Sequence, residues 1–209
     1  MTLRKIGKFL FYVIALLVVL FAVFGITSGS GDEGLAGKAR IKNFAENLTM
    51  LREVMQKYQA AHQALPGDDA NASKRWTGIA NGNGDGVIQG EFNSRKQDSE
   101  SAMFWQHLKS AGLVDRDFST NIQLGLVGVQ MAGAASSSPV MICSADLTWR
   151  LAQGADALID DGVPNTGAVM SYLQNGKVLA DAANPTRGSP VITFDSKLED
   201  ALYTVCQLK

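Results

Sequence analysis

The segment from Phe9 to Ile26 constrains this chain most, because it runs for eighteen consecutive positions without a charged residue. Fourteen of the eighteen are Leu, Ile, Val or Phe. Each such residue favours insertion at a membrane centre by about 0.3–0.6 kcal/mol, and a helix of this length is just long enough to cross the hydrocarbon core. Residues 1–27 are therefore predicted to form a single-pass transmembrane anchor.

The charges around this segment predict its orientation. Arg4, Lys5 and Lys8 precede it immediately, and the positive-inside tendency keeps such residues in the cytoplasm and exports the C-terminal side of the span. A cleavable secretory signal is the alternative, since it also has a basic start, an apolar stretch and small residues such as Gly25 and Ser28 near its end. In both cases the main domain lies outside the cytoplasm.

Composition limits what the exported part can be. Apolar residues make up 46% of the chain, which argues against disorder, and residues 36–209 are enough for one domain with its own core. A net charge of −1 and a pI near 6.1 give no electrostatic reason to expect nucleic acid as a partner. The only two cysteines are Cys143 and Cys206, and in an oxidising compartment such a pair is expected to form a disulfide.

A hinge and a long helix come after the apolar segment. Residues 28–35 are rich in Gly and Ser, which hold a helix poorly, and are predicted to be a hinge. Residues 36–64 are predicted to form one amphipathic helix, because apolar side chains recur there every three or four positions. That stripe consists of Ile41, Phe44, Ala45, Leu48, Leu51, Met55 and Tyr58. We expect its last four members to pack on the rest of the domain.

The remaining pattern predicts an α+β fold, with the long helix packed on a small antiparallel sheet. Residues 66–99 are mostly Gly, Asn, Asp and Ser and predict an irregular ordered loop, and a shorter helix is expected from about Ser99 to Ala111. Short apolar runs between Gly, Pro and Asn clusters are typical of antiparallel strands. These runs are residues 122–129, 140–143, 168–173, 191–194 and 201–208, with a helix over Thr148–Leu158 between them.

One string resembles the start of a calcium-binding loop. Asn81, Asn83 and Asp85 supply side-chain oxygens at its first, third and fifth positions, and a glycine stands at the sixth. The twelfth position needs a bidentate acid, but Phe92 occupies it and Glu91 stands one residue early. The candidate calcium ligands are therefore Asn81, Asn83, Asp85 and Glu91. The alternative is a Gly-rich turn that uses Asn and Asp for their tolerance of left-handed backbone.

The sequence predicts that the protein is not an enzyme. Neither His62 nor His107 is accompanied by a Cys or Ser signature that would supply a nucleophile, and each is expected to be a surface or packing residue. Asp160 and Asp161 are adjacent acids beside Gly162, and consecutive acids in a turn normally point apart into water.

Four short strings occur one after another along the chain. They are Leu65-Pro66-Gly67-Asp68-Asp69, Gly82-Asn83-Gly84-Asp85-Gly86, Phe104-Trp105-Gln106-His107-Leu108 and Asp160-Asp161-Gly162-Val163-Pro164-Asn165-Thr166-Gly167. In this order, behind an apolar segment and before a C-terminal Cys, they resemble bacterial type IV pilin-like proteins of the prepilin-type methylation class, which include type II secretion pseudopilins. The resemblance covers most of residues 36–209.

The resemblance implies a lollipop-shaped pilin-like fold and an inner-membrane anchor, with a cytoplasmic N-terminus and a periplasmic or extracellular domain. It implies other pilin-like subunits and a pilus or secretion assembly machinery as partners, and the function of a minor pilin or pseudopilin. The N-terminus departs from the family: Met1-Thr2-Leu3 fits a mature start, but Lys5 stands where members carry a Glu. The alternative is therefore a membrane-tethered extracytoplasmic binding module of pilin-like fold that does not polymerise.

Overall fold

The computed structural model describes residues 34–94, 96–115, 120–121, 125–133, 137–174, 190–194 and 201–208. The predicted anchor, and all of the predicted hinge except Gly34 and Leu35, lie outside the described residues. No helix in the described ranges is long and apolar enough to cross a membrane. The chain divides into two compact units, Met1–Ala39 and Arg40–Lys209, and the second unit contains the sheet and most of the first described helix.

The described part of the chain contains four helices. They are α1 (Leu35–His62), α2 (Ala72–Arg75), α3 (Glu100–Ser110) and α4 (Trp149–Ile159). Side chains at the preceding residues cap the last two, because the Ser99 side chain accepts from the Ala102 N–H and the Thr148 hydroxyl accepts from the Leu151 N–H. The three helices predicted from the sequence are confirmed, with ends that differ by at most two residues.

The sheet is small and antiparallel throughout. Its strands are β1 (Thr120–Asn121), β2 (Gly125–Met131), β3 (Val140–Thr148), β4 (Val169–Leu173) and β5 (Leu202–Leu208). Their order is β1-β2-β3-β5-β4, so the C-terminal strand lies between β3 and β4. Because β1 has only two residues, four strands do most of the pairing. The predicted α+β class with a small antiparallel sheet is confirmed.

The main core forms where α1 meets the sheet. Leu48, Leu51, Met55 and Tyr58 each have 0% exposure, as the periodicity of the predicted helix required. They belong to one cluster with strand residues Val127, Val129, Ile142 and Val205. Each fully buried side chain of this kind contributes about 1.5–3 kcal/mol, so this stripe anchors the helix.

The other face of the sheet carries the disulfide. Cys143 and Cys206 lie directly opposite each other on β3 and β5 and are bonded, which confirms the predicted pair. Phe92, Met141 and Tyr172 pack around it in a second apolar cluster. With a sequence separation of 63, the bond is expected to stabilise the fold by roughly 4 kcal/mol in the chain-entropy model.

The prediction of a strand at residues 191–194 is wrong. The Val191 N–H donates to the Ser171 carbonyl of β4, but the chain bends at the next two positions and Ile192 is 76% exposed. Phe194 packs edge-on against Tyr203, with ring centroids 5.3 Å apart. Val191 and Phe194 therefore pack against the main core while Ile192 is exposed, and apolar composition alone could not distinguish this from strand pairing.

Replacing Leu51 with Asp should lower the free energy of unfolding by about 3–5 kcal/mol, because it places an unpaired charge in the core and leaves a cavity. Lys57→Asp on the exposed side of the same helix is the matched control and should change it by less than about 0.5 kcal/mol. Urea unfolding followed by circular dichroism measures both. Equal losses would mean that the stripe does not carry the packing of α1.

Candidate functional site

Residues 66–99 are held in place by buried acids, of which Asp68 is central. This side chain is only 3% exposed. Its Oδ1 accepts from the N–H groups of Gly84 at 2.7 Å and Asp85 at 3.1 Å, and its Oδ2 accepts from the Gly86 N–H at 2.8 Å. Gly84 and Gly86 have φ of 76° and 83°, a backbone that glycine adopts at little cost. Three successive amides thus form a concave nest around one carboxylate.

Glu100, the first residue of α3, closes the same loop from the other side. It is 5% exposed, and its two oxygens accept from the N–H groups of Asn83 at 2.8 Å and Gln89 at 2.9 Å. Burial raises the pKa of Glu100, the two amide hydrogen bonds oppose that rise, and the negative charges of Asp68 and Asp85 add to it. The loop from residue 83 to residue 89 is therefore attached at both ends to the start of α3.

Asp69 connects the loop to α1. Its Oδ2 accepts from the Tyr58 hydroxyl at 2.7 Å and forms an ion pair with Arg75, and its Oδ1 accepts from the Asn71 N–H at 2.9 Å. Burial raises the pKa of Tyr58 to about 12, against the opposing charge of Arg75. The tyrosine that ends the buried stripe of α1 thus also fixes the first turn of the loop.

His107 on α3 is completely buried, with 0% exposure. Its Nδ1 accepts from the Gly67 N–H at 2.9 Å, so the neutral ring carries its proton on Nε2, which donates to the Ala80 carbonyl at 2.9 Å. Burial lowers the pKa of His107, the bond to Ala80 opposes this, and the charge of Arg75 lowers it further. His107 is expected to be a surface or a packing residue, and the structure shows it buried, with both nitrogens hydrogen-bonded to backbone groups of the loop.

The predicted calcium ligands lie in this loop, and three of them, Asn81, Asn83 and Asp85, accept backbone N–H groups with their side-chain oxygens. Asn81 Oδ1 accepts from the Ser73 N–H at 2.8 Å, Asn83 Oδ1 from the Asp85 N–H at 2.9 Å, and Asp85 Oδ1 from the Val87 N–H at 2.9 Å. Asn83 Nδ2 also donates to Asp85 Oδ2 at 2.9 Å. The bonds from Asn83 and Asp85 to the N–H two positions on are those of Asx turns, whereas Asn81 bonds back to the residue eight positions earlier. Calcium binding by these residues stays a prediction.

An open cleft of about 870 Å³ lies beside the loop, and Asn81, Asn83 and Glu91 line it. Met103 and Leu126 supply apolar lining. The other polar side chains of its wall are those of Gln89, Asn93, Ser94, Lys96, Asp98, Ser99 and Glu100. The cleft therefore combines hydrogen-bonding side chains with apolar surface, the mixture found in sites for small ligands.

Sequence reasoning missed the buried acids that organise this region. Oxygens of Asp68, Asp85 and Glu100 lie within 4.8 Å of one another, whereas the prediction groups Asp85 with two asparagines and Glu91. The predicted turn at Pro66-Gly67 does place Asp68 in a loop, but nothing in the local sequence signals that a carboxylate will be buried. Its amide partners are 16 to 18 positions away.

Comparison with models of protein families, with curated proteins and with solved structures finds no match to this chain. The resemblance to pilin-like proteins therefore rests on the four sequence strings and their order. The expectation that the protein is not an enzyme likewise stays a prediction.

The variant His107→Leu should be less stable than the wild type at about pH 7.5 by about 1–3 kcal/mol, because the buried Gly67 N–H loses its acceptor. The difference should shrink as the pH falls to about 5.5. In the unfolded chain His107 takes up a proton below its ordinary pKa of about 6.5, whereas burial opposes protonation in the folded chain. Lowering the pH therefore reduces the free energy of unfolding of the wild type but not that of His107→Leu.

Urea unfolding across this pH range measures the difference, with His62→Gln as the control that removes the chain's other histidine. The control should retain the wild-type bonds to Gly67 and Ala80 and most of the stability at pH 7.5. A gap between the wild type and His107→Leu that stays constant over this range would contradict the assignment of a buried neutral ring.

Proposed function

We propose that this chain is a structural or assembly subunit similar to a minor type IV pilin or a type II secretion pseudopilin. In this proposal residues 1–27 anchor it in a bacterial inner membrane and residues 36–209 are exported. The observation that carries the proposal is a helix of 28 residues, Leu35–His62, which comes after an apolar segment in the sequence and buries one stripe on a small antiparallel sheet.

The exposure of α1 supports an assembly role for its first turns. Leu35 is 89% exposed, whereas the fully buried stripe begins at Phe44 with 1% exposure. Arg40, Lys42 and Glu46 are also exposed on this part of the helix. Side chains of this part are thus accessible to another subunit, while the C-terminal half is committed to the core of its own domain.

The disulfide supports export. Cys143 and Cys206 are bonded and have 0% exposure, and structural disulfides persist in the periplasm and outside the cell but are rare in a reducing cytoplasm. The bond joins the C-terminal strand to the middle of the sheet, so it protects the last element of the chain against unfolding in a compartment that lacks cytoplasmic chaperones.

Lys5 favours a tip subunit or a subunit with no neighbour behind it. In the resembling family an acid at this place meets the N-terminal amine of a neighbouring subunit inside an apolar bundle. A lysine there would face another cation where little water screens the charges, which costs several kcal/mol. In a bilayer the same lysine can reach the cytoplasmic headgroups from near a helix end, so the membrane-anchored monomer tolerates it.

The cleft beside the loop favours a second function. Its volume of about 870 Å³ and its mixed polar and apolar wall are suited to a small ligand, as expected of a membrane-tethered extracytoplasmic binding module. In that case the pilin-like elements would serve as a scaffold for the cleft, and the chain would remain in the membrane without neighbours of its kind.

Shearing of native filaments from cells that make this protein distinguishes the two. The wild type should remain in the inner-membrane fraction or appear at filament ends. The variant Lys5→Glu should enter sheared filaments several-fold more, because it restores the acid that pairs with an amine, and Arg4→Glu should not.

Density for the wild-type chain repeating along the filament shaft, with Lys5 buried between subunits, would contradict the proposal. Absence of the Lys5→Glu variant from all filaments would favour the binding module.

A further inference from the structure

Three acids converge where α4 ends and the chain turns toward β4. Asp156, Asp160 and Asp161 each offer a carboxylate oxygen, and these oxygens lie within 4.8 Å of one another. The expectation that Asp160 and Asp161 point apart is therefore wrong, although both residues are exposed to water as expected. Asp160 is the C-cap residue of α4. The adjoining turn holds the side chains of Asp160 and Asp161 on the side of Asp156.

Hydrogen bonds hold Asp160 and Asp161 in this position. Asp160 Oδ2 accepts from the N–H groups of Ala168 and Val169 at the start of β4. Asp161 Oδ1 accepts from the Val163 N–H at 2.8 Å, and its Oδ2 accepts from the Thr166 hydroxyl at 2.6 Å. Both carboxylates are thus positioned by groups of the turn itself and of the start of β4, independently of Asp156.

The carboxylate of Asp156 lacks a hydrogen-bond partner on one oxygen, and this points to a ligand. Asp156 has 0% exposure, and its Oδ1 accepts from the Gly162 N–H at 3.1 Å, but its Oδ2 is buried and has no hydrogen-bond partner. Leaving a buried carboxylate oxygen without a partner is costly. Burial raises the pKa of Asp156 to about 6, the Gly162 amide opposes the rise, and the charges of Asp161 and Asp160 increase it.

The acids of the loop provide a contrast. Asp68, Asp85 and Glu100 also lie within 4.8 Å of one another, but the four oxygens of Asp68 and Glu100 all accept backbone N–H groups. Amide dipoles thus compensate the charge of both residues, and neither has a carboxylate oxygen without a partner. In Asp156 only one of the two carboxylate oxygens accepts a backbone N–H.

We propose that Asp156, Asp160 and Asp161 bind a hard divalent cation of the calcium class. An all-oxygen set of carboxylates is what such ions select, and three negative charges would favour the doubly charged ion. Asp161 is exposed, which leaves room for water to complete the six to eight ligands that Ca²⁺ takes. The bound ion would supply the missing partner of Asp156 Oδ2 and tie the end of α4 to the start of β4.

Gly167 is part of the same arrangement. Its φ is 71°, and a Cβ there would collide with Asp160 Oδ2. Only a residue without a side chain allows the Asp160 carboxylate to approach the amides of Ala168 and Val169. The glycine therefore helps to place one of the three proposed ligands.

Isothermal titration of the chelator-treated 209-residue chain, in detergent, with Ca²⁺ tests this site. The wild type should show saturable binding. Asp161→Asn, which alters an exposed side chain and leaves the core intact, should weaken it at least ten-fold, and Asp156→Asn should do the same. Asp85→Asn, in the loop whose Asn81, Asn83, Asp85 and Glu91 are the calcium ligands predicted from the sequence, is the matched control and should leave the affinity unchanged.

Three outcomes would overturn the proposal. One is the absence of saturable binding of Ca²⁺ up to about 10⁻³ M, the weak limit of extracellular calcium modules; Asp156 would then be a neutral acid that shares its proton with Asp160 or Asp161. Another is an affinity that Asp161→Asn leaves unchanged. The third is loss of binding in Asp85→Asn alone, which would assign the ion to the loop at residues 81–91. None of these results depends on whether the chain enters a filament.

Discussion

The carboxylate of Asp68 is the contact on which the loop between α1 and α3 depends. Residues 66–99 contain one short helix and, in their described part, no strand, so their buried amides cannot pair with one another in a ladder and need other acceptors. Asp68 supplies acceptors for three successive amides, and Glu100 supplies acceptors for two more. His107 holds Gly67 and Ala80. The region is irregular in backbone but ordered, because polar groups buried at its centre replace the pairing that a sheet would provide.

Some of this architecture could be predicted because it depends only on the helical spacing of apolar residues or on a single possible pair of cysteines. The buried stripe from Leu48 to Tyr58 results from helical spacing, and Cys143 can pair only with Cys206 because the chain has two cysteines. The apolar run at 191–194 predicts a strand that does not form, because Phe194 packs on Tyr203 and does not take part in strand pairing. The buried acids were beyond sequence reasoning, because the partners that compensate the charge of Asp68 are brought to it only by the folded loop.

The two acidic clusters differ in how many of their carboxylate oxygens have hydrogen-bond partners. This difference is the reason that we assign a cation to only one of them. At Asp68 and Glu100 backbone amides meet every carboxylate oxygen, so the cluster serves the fold. At Asp156 one oxygen lacks a partner, and we assign a cation to it. Both clusters position exposed parts of the domain: the first shapes the cleft beside Asn83 and Glu91, and the second fixes the turn before β4. The proposed assembly function draws instead on α1 and on the apolar segment that precedes it.

Hydrogen exchange measured by NMR on the amides of Gly84, Asp85 and Gly86 tests the role of Asp68 most directly. If the Asp68 carboxylate holds them, all three should be protected in the wild type, and Asp68→Ala should accelerate their exchange at least about ten-fold, which corresponds to about 1.4 kcal/mol, near the net worth of one hydrogen bond. The core amide of Val205 should keep its protection, and the exposed control Asp98→Ala should change none of the four. Protection of the three loop amides that persists in Asp68→Ala would contradict this role, because another acceptor would then have to order the loop.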